Sequence, residues 1–558
     1  MDERPWLKSY PPEVPADIDP DRYASVVHAF HEACGRFQDK PCFTNMGVTL
    51  TYGDLFRLSG QFSAFLQKDL GLVKGDRIGL QMPNVLQYPV ALFGALRAGL
   101  VVVNTNPLYT PREMEHQYRD AGVKAIVILA NFASQLQVAL KEISAGGNSP
   151  QVIVTELGDL FPGPKRIMVN AAVKYLKKLV PAYQLPDAIT FRDALALGAK
   201  HQAVSDAPMT GQDLAFLQYT GGTTGVAKGA MLTHRNIVAN LEQAAAWMSF
   251  RLVEGEEVIM TPLPLYHVFS LTVNCLLFMK FGGHNILVTN PRDFPAFIKL
   301  LRKQPFTVMT AVSTLLGALM NRPDFQGVDF SSVKLTVAGA MALQRVVAEK
   351  WHARTKTTVI EGYGLTEASP ILCCNPLDGT DRLGTIGLPF PSTYIRLIDD
   401  SGQPVTEPGK PGELIARGPQ VMRGYWNKPE ETAGMLRDGW LWTGDIAQVD
   451  EAGFFKIVDR KKDMILVSGF NVYPNEVEEV VAQHPAVAEV GAIGVPDEKS
   501  GEVVKVVVVL RPGMSVTAEE LIQFCRTSLA AYKLPRHVEF RTELPKTNVG
   551  KVLRRALR

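Results

Sequence analysis

Four glycines, three threonines and a lysine crowd into residues 219–229, YTGGTTGVAKG, a density that ordinary folding does not require. Glycine lets backbone N–H groups approach an anion closely, threonine hydroxyls add short donors, and Lys228 supplies a point charge. The segment therefore reads as a cradle able to wrap a triphosphate, with Tyr219, Thr220, Gly221, Gly222, Thr223, Thr224, Gly225 and Lys228 as candidate contacts. It is not a Walker A loop, which needs lysine directly after its last glycine, because Val226 and Ala227 separate Gly225 from Lys228. The competing identity is a plain surface loop between a strand at residues 214–218 and a helix at 234–248.

Three further stretches carry chemistry. Residues 363–367, YGLTE, set an aromatic platform, a hydroxyl and a carboxylate close together, and a carboxylate beside bound phosphates usually signals Mg²⁺. Residues 442–445, WTGD, put Asp445 after a tight turn, where it is suited to accept two ribose hydroxyl bonds. Residues 545–551, PKTNVGK, place Lys551 on a glycine-preceded segment; Arg554, Arg555 and Arg558 follow, so a solvated basic tail is the competing reading.

Alternating elements must position these groups. Strand signals at residues 76–82, 100–103 and 125–130 interleave with helix signals at 85–98 and 111–121, the pattern of a parallel, doubly wound sheet. Ligands of such sheets sit beyond the carboxyl ends of the strands, where the glycine-rich loop would lie. A second alternation runs from residue 257 to 360, and from residue 394 short strands with SG, PG and DG turns predict a small barrel-like unit. The charged run 459–463, DRKKD, then precedes a fresh helix and strand alternation to residue 541, which reads as a separate small α+β domain with the charged run as its hinge. The expected fold class is α/β. A large N-terminal domain, residues 1–459, holds two doubly wound sheets and the barrel, and a mobile lid spans residues 460–558. The proline-rich first 50 residues read as a packed arm with one helix near 26–37.

Composition removes several alternatives. A chain of 558 residues exceeds one core and suggests about three or four folding units. With 58 Lys and Arg against 56 acids the net charge of +2 gives no general pull toward nucleic acid. Six cysteines lack CxxC or histidine spacing, which points to reduced cytosolic thiols rather than a zinc site or a disulfide framework. The start, MDERPW, lacks the apolar segment of a signal peptide, and the longest apolar stretch, 90–103, is short and carries Arg97, so a cytoplasmic protein without a spanning helix is expected. Residues 165–178, KRIMVNAAVKYLKK, are either a solvated connecting helix or a basic amphipathic helix resting peripherally on the anionic inner membrane face.

Taken together and in this order, these stretches resemble the adenylate-forming superfamily of acyl-CoA synthetases, luciferases and peptide-synthetase adenylation domains, over nearly the whole chain. Residues 438–478, from DGWLWTGD to YPNEVE, resemble the signature of bacterial long-chain fatty acyl-CoA synthetases. The resemblance implies that the loop at 219–230 holds the β- and γ-phosphates of ATP. It implies further that Gly339, Ala340 and Met341 sandwich adenine with Tyr363, next to Gly364 and Thr366, and that Thr220 and Glu367 hold Mg²⁺. Asp445 and Arg460 would grip the ribose, Lys551 would sit between the acid and the α-phosphate, and Lys462 would be the hinge. Ser468, Gly469 and Phe470 would border the CoA path. His267 matches a segment beside the acyl site, and a packed core histidine is the equal alternative. One departure stands out: the tryptophan that gates the acyl tunnel in some long-chain members would fall near Leu271, and Trp247 cannot simply be substituted for it. Apolar runs at 268–281 and 311–319 are either tunnel walls or plain core.

The implied reaction has two steps, formation of an acyl-adenylate with loss of pyrophosphate and its capture by CoA, with fatty acid, ATP, Mg²⁺ and CoA as partners. A ligase for an aromatic or medium-chain acid, a ligase for an acyl-carrier protein, and a non-catalytic nucleotide- or lipid-binding scaffold are the rivals. A homodimer stays open.

Overall fold

Short apolar runs become strands and capped polar-faced runs become helices wherever the first alternation was legible. The helix Pro111–Ala121 shows why: Thr110 accepts the Glu113 N–H, Glu113 reaches back to cap Thr110, and left-handed Gly122 ends it. The computed structural model describes residues 4–144, 149–201, 205–220, 227–468, 470–497, 499–547 and 550–558.

Two large sheets form the body. The first has seven strands, ordered Ile189–Thr190, Gln151–Thr155, Val123–Leu129, Arg77–Gln81, Val101–Asn104, Leu214–Thr220 and Lys228–Thr233. All neighbours are parallel except the last pair, an antiparallel hairpin that flanks the glycine-rich loop. The strand Lys228–Thr233 is not foreseen by the sequence reading, which runs the loop directly into the helix His234–Met248. It exists because the KGAMLT segment is bonded on both edges, to Leu214–Thr220 and to residues 423–426.

The second sheet has nine strands, with a parallel centre of Val359–Gly364, Leu335–Ala338, Val308–Ala311, Val258–Thr261 and His284–Leu287. Its far edge is built by Pro41–Asn45 and Val48–Thr51, so residues 41–51 are sheet rather than arm. Between the two sheets lie the helices Val26–Arg36, Tyr52–Ala64, Gln87–Arg97 and His234–Met248, in one core cluster that takes residues from both sheets. Gln87–Arg97 is buried at every position, which explains a long apolar run that spans no membrane. No helix of the described residues is long and apolar enough to cross a bilayer.

The barrel-like unit comprises Tyr394–Ile398, Gly412–Arg417, Leu436–Arg437, Trp440–Val449 and Phe455–Arg460. Sheet membership then changes: after the turn Lys461–Asp463, the strand Ile465–Val467 joins a separate five-stranded sheet with Phe470–Val472, Gly501–Leu510, Val487–Asp497 and His537–Phe540. Two helices, Pro474–Ala482 and Ala518–Cys525, complete this C-terminal unit around its own core.

Candidate active site

Thr220 ends the strand Leu214–Thr220 and lies opposite Lys228 in the hairpin register. Side chains alternate along a strand, so Thr220 shares a face with Gln218, whose amide donates to the Tyr266 carbonyl at 2.8 Å. Tyr219 turns the other way. Its ring is buried in the core and its hydroxyl donates to Asp120 Oδ2 at 2.6 Å, so it braces the strand end against the helix Pro111–Ala121. Gly221, Gly222, Thr223, Thr224 and Gly225 lie outside the described residues.

Lys228 Nζ stands 5.4 Å from the centroid of the Tyr425 ring and 4.0 Å from the Glu431 carboxylate. Tyr425 in turn donates its hydroxyl to Glu367 Oε1 at 2.5 Å. Burial and the Glu367 charge both raise the Tyr425 pKa, so the phenol stays protonated and the bond keeps its direction. The loop cation and the buried carboxylate of the YGLTE stretch are therefore tied through a tyrosine that the sequence reading leaves out. Tyr425 reaches this position because residues 423–426 run as an extra strand beside Lys228–Thr233, with Met231 N–H bonded to the Gly424 carbonyl and Trp426 N–H to the Gly229 carbonyl.

Around the ribose candidates the sheet register does the positioning. Asp445 and Arg460 sit directly opposite each other on Trp440–Val449 and Phe455–Arg460, with Arg460 Nε 3.0 Å from Asp445 Oδ1. Tyr363 Oη donates to the other oxygen, Oδ2, at 2.6 Å. Asp445 does not follow a turn, as the sequence suggests, but lies inside the strand at a bulge. Gly444 adopts φ +71°, and the displaced Thr443 hydroxyl donates to the Leu414 carbonyl. The Asp445 charge, ahead of the opposing cost of burial, raises the Arg460 pKa. A planar ring, a carboxylate and a guanidinium thus converge at one point.

Gly339 backs onto the segment that follows His267: a Cβ there would stand 3.3 Å from the Phe269 ring and 3.3 Å from the Gly362 carbonyl. Ala340 and Met341 continue from it, Ala340 exposed with φ +65°. His267 caps the short helix Val268–Ser270, its Nδ1 accepting the Phe269 N–H at 3.3 Å, and burial lowers its pKa to about 4, so the imidazole is neutral near pH 7. Leu271 is fully buried, and Trp247 is locked into the interlayer core by Phe390 and by its indole N–H on the Asn375 carbonyl. Nearby, Glu361 is buried, accepts the Leu343 N–H at 3.0 Å, and has its pKa pushed up to about 8, chiefly by burial and further by the charge of Glu479 on the C-terminal unit.

The C-terminal unit delivers Lys551. Its loop is pinned by Thr547, whose N–H donates to the Lys551 carbonyl at 2.7 Å and whose hydroxyl accepts the Lys551 N–H at 3.1 Å. Gly550, at φ +85°, presses against the body so closely that a Cβ would meet Thr314 Oγ1 at 2.7 Å. Lys551 as a residue stays open to solvent, yet crowding of its ammonium, with Arg460 and Arg554 nearby, lowers its pKa against a smaller opposing pull from Asp445. Arg554 clamps the units together: it bonds Asp459 at the end of the barrel strand at 2.8 Å and Glu478 of the helix Pro474–Ala482 at 2.8 Å. Asp459 also accepts the Asn475 N–H in the first turn of that helix. Lys462 is exposed in the turn between the two sheets, and Phe470 is exposed and stacked on Tyr532 at 4.9 Å. Ser468 precedes it at φ +51°, and Gly469 lies outside the described residues.

The oxygen donors Thr220 and Glu367 suit a hard cation that brings phosphates as its other ligands. Among the described residues no cluster of three or more His, Cys, Asp or Glu could hold a metal ion.

Known proteins match this architecture throughout. Residues 30–426 match the family described as AMP-binding enzyme, and residues 476–551 match the AMP-binding enzyme C-terminal domain. The chain is 56% identical over 553 residues, 99% of its length and 97% of the relative's, to a long-chain-fatty-acid–CoA ligase of Escherichia coli O157:H7. Among solved structures it superposes on the anthranilate CoA ligase AuaEII in complex with anthranoyl-AMP at TM-score 0.85, with 25% identity over 97% of this chain and 98% of the other. ATP-bound MatB from Rhodopseudomonas palustris superposes at TM-score 0.81, with 27% identity over 95% and 98%.

Proposed function

Because the chain belongs to the AMP-binding enzyme family, we propose that this pocket activates long-chain fatty acids with ATP and passes the acyl group to CoA. It is an AMP-forming acid–thiol ligase. The fatty carboxylate attacks the α-phosphorus of ATP, pyrophosphate leaves, and the CoA thiol then displaces AMP from the mixed anhydride. Mg²⁺, bound with the triphosphate, supplies charge neutralisation at the phosphates.

The residues take the following roles in this reading. Lys228 draws the β- and γ-phosphates, while Thr220 and Glu367 would hold the cation that accompanies them. Tyr363 offers a ring face to adenine across from residues 339–341. Asp445, already oriented by Arg460 and Tyr363, accepts from the ribose hydroxyls. Lys551 meets the negative charge that builds up between the acid oxygen and the α-phosphate, on a loop that packs at Gly550 against Thr314. His267 is neutral and tied to its own helix start, which suits a wall of the acyl site better than a proton carrier. We take residues 1–459 as the body and 460–558 as the lid, which turns about Lys462 so that Lys551 withdraws and the 468–470 edge comes to the pocket for CoA. Lipid association at the membrane surface fits the amphiphilic substrate.

The observation that carries this reading is the convergence of Asp445, Arg460 and Tyr363 at one point, near enough to Lys551 of the C-terminal unit for the Arg460 charge to lower its pKa. The test is an acid panel of increasing chain length, with aromatic acids included, read as pyrophosphate release with and without CoA and as thioester formed. Long-chain acids should give acid-dependent pyrophosphate and CoA-dependent thioester. Turnover confined to aromatic acids, or pyrophosphate without thioester, would overturn it.

A further inference from the structure

One surface of the body has no part in the pocket. The helix Gly163–Ala171 and the wider π turn Ala172–Leu176 follow the strand Gln151–Thr155 and the turn after it. Their inner side is anchored: Val169 is buried, and Asn170 accepts the Gly158 N–H at 2.7 Å and donates to Glu156 at 2.9 Å. Their outer side is not covered by protein. Ile167, Met168, Tyr175 and Leu176 are 65%, 64%, 71% and 79% exposed, the four highest values of any large hydrophobic among the described residues. Leu179, at 53%, and Met46, whose carbonyl receives Lys165 Nζ at 2.5 Å, extend the same patch.

The change of helix type is what gathers these side chains. An α turn advances about 100° per residue and the wider π turn roughly 80°, so positions eight apart across the junction, 167 with 175 and 168 with 176, return to nearly one direction. Around them stand Lys165, Arg166, Lys174, Lys177 and Lys178, and no acid occurs between Asp159 and Asp187, in a chain whose net charge is only +2. A helix that merely connects would keep its lysines in water without also turning its largest apolar groups outward.

We propose that this patch docks the protein on an anionic phospholipid surface, with Ile167, Met168, Tyr175 and Leu176 entering the headgroup boundary and the lysines reaching lipid phosphates. Long lysine stems allow this split, apolar along the chain and charged at the tip. A second copy of the chain is the poorer occupant, because a twofold pairing would bring the two sets of five cations face to face. The purpose assigned to the patch rests on the fatty-acid reading, since a long-chain acid is itself dissolved in such a surface; the docking does not depend on that reading.

The experiment is flotation of the full-length protein with vesicles of phosphatidylcholine alone or with a third of phosphatidylglycerol, in the absence of ATP and acid, so that it reports lipid binding whether or not the catalytic reading stands. Binding is expected on the anionic vesicles, weakened by salt, and lost at least tenfold in the double variant Ile167→Ser with Leu176→Ser. Lys177→Glu with Lys178→Glu should weaken it by at least about fivefold per cation removed. Unchanged turnover of a water-soluble medium-chain acid, or an unchanged melting temperature, establishes that the variants fold. Equal flotation on neutral vesicles, or of the serine variant with the parent, overturns the proposal. So does a serine variant that dissociates a dimer in sedimentation while floating as before.

Discussion

Lys551 carries the sharpest expectation at the scale of single residues. Lys551→Ala should abolish acid-dependent pyrophosphate release by several hundredfold or more while a supplied acyl-adenylate still reacts with CoA; equal loss of both half-reactions contradicts the role. Its pKa is lowered by crowding first and by neighbouring cations next, so the ammonium is lost at a pH below that of an ordinary lysine. Adenylation should therefore decline on an alkaline limb lying below the usual lysine range, and Lys551→Arg should move that limb upward. Glu361 gives an expectation about stability. Its folded pKa of about 8 exceeds the ordinary 4.5, so its contribution is complete below pH 4.5 and is lost as pH rises through 8. Glu361→Gln should gain on the parent as pH climbs from 5 to 9, by on the order of a few kcal/mol at the alkaline end, in melting experiments. Parallel curves would mean that Glu361 is ionised in the fold.

Elements explain which of these residues could be read in advance. The parallel strands are legible because burial on both faces leaves near-continuous apolar runs, and the capped helices between them are legible from Thr110 and Thr233. Asp445 is singled out by its WTGD stretch and Arg460 by the resemblance, but their direct opposition comes from a register that no local pattern fixes. Tyr425 escapes the sequence because its partner Glu367 is 58 positions away, and the core position of the Tyr219 ring follows from strand alternation, which the loop reading does not take into account. The strand Lys228–Thr233 is hidden by its shortness and by the glycines before it. The element between the sheets, Lys461–Asp463, yields its own test: Lys462→Pro should leave pyrophosphate release within about twofold of the parent and slow thioester formation at least tenfold, in single-turnover measurements of each half-reaction. Unaltered overall turnover would move the hinge elsewhere.

At the scale of the whole molecule, the junction between the C-terminal unit and the rest of the chain holds a concentrated ionic contact. Arg554 bonds Asp459 and Glu478, and Asp459 is wholly buried, so removing the guanidinium leaves uncompensated charge at the junction. Arg554→Ala should cost about 3 kcal/mol and hasten tryptic cleavage at Lys461 and Lys462, followed by electrophoresis; cleavage at the parental rate would mean that the clamp does not hold the lid. The strand Phe455–Arg460 has a consequence beyond stability. It carries Arg460, proposed above to grip the ribose, at its last position, and the turn proposed as the pivot begins with the next residue. A door whose handle is bolted beside its hinge cannot swing without moving the handle. On that proposal, letting go of the spent nucleotide and resetting for another round are two readings of one backbone rotation, and slowing either one should slow the other in equal measure.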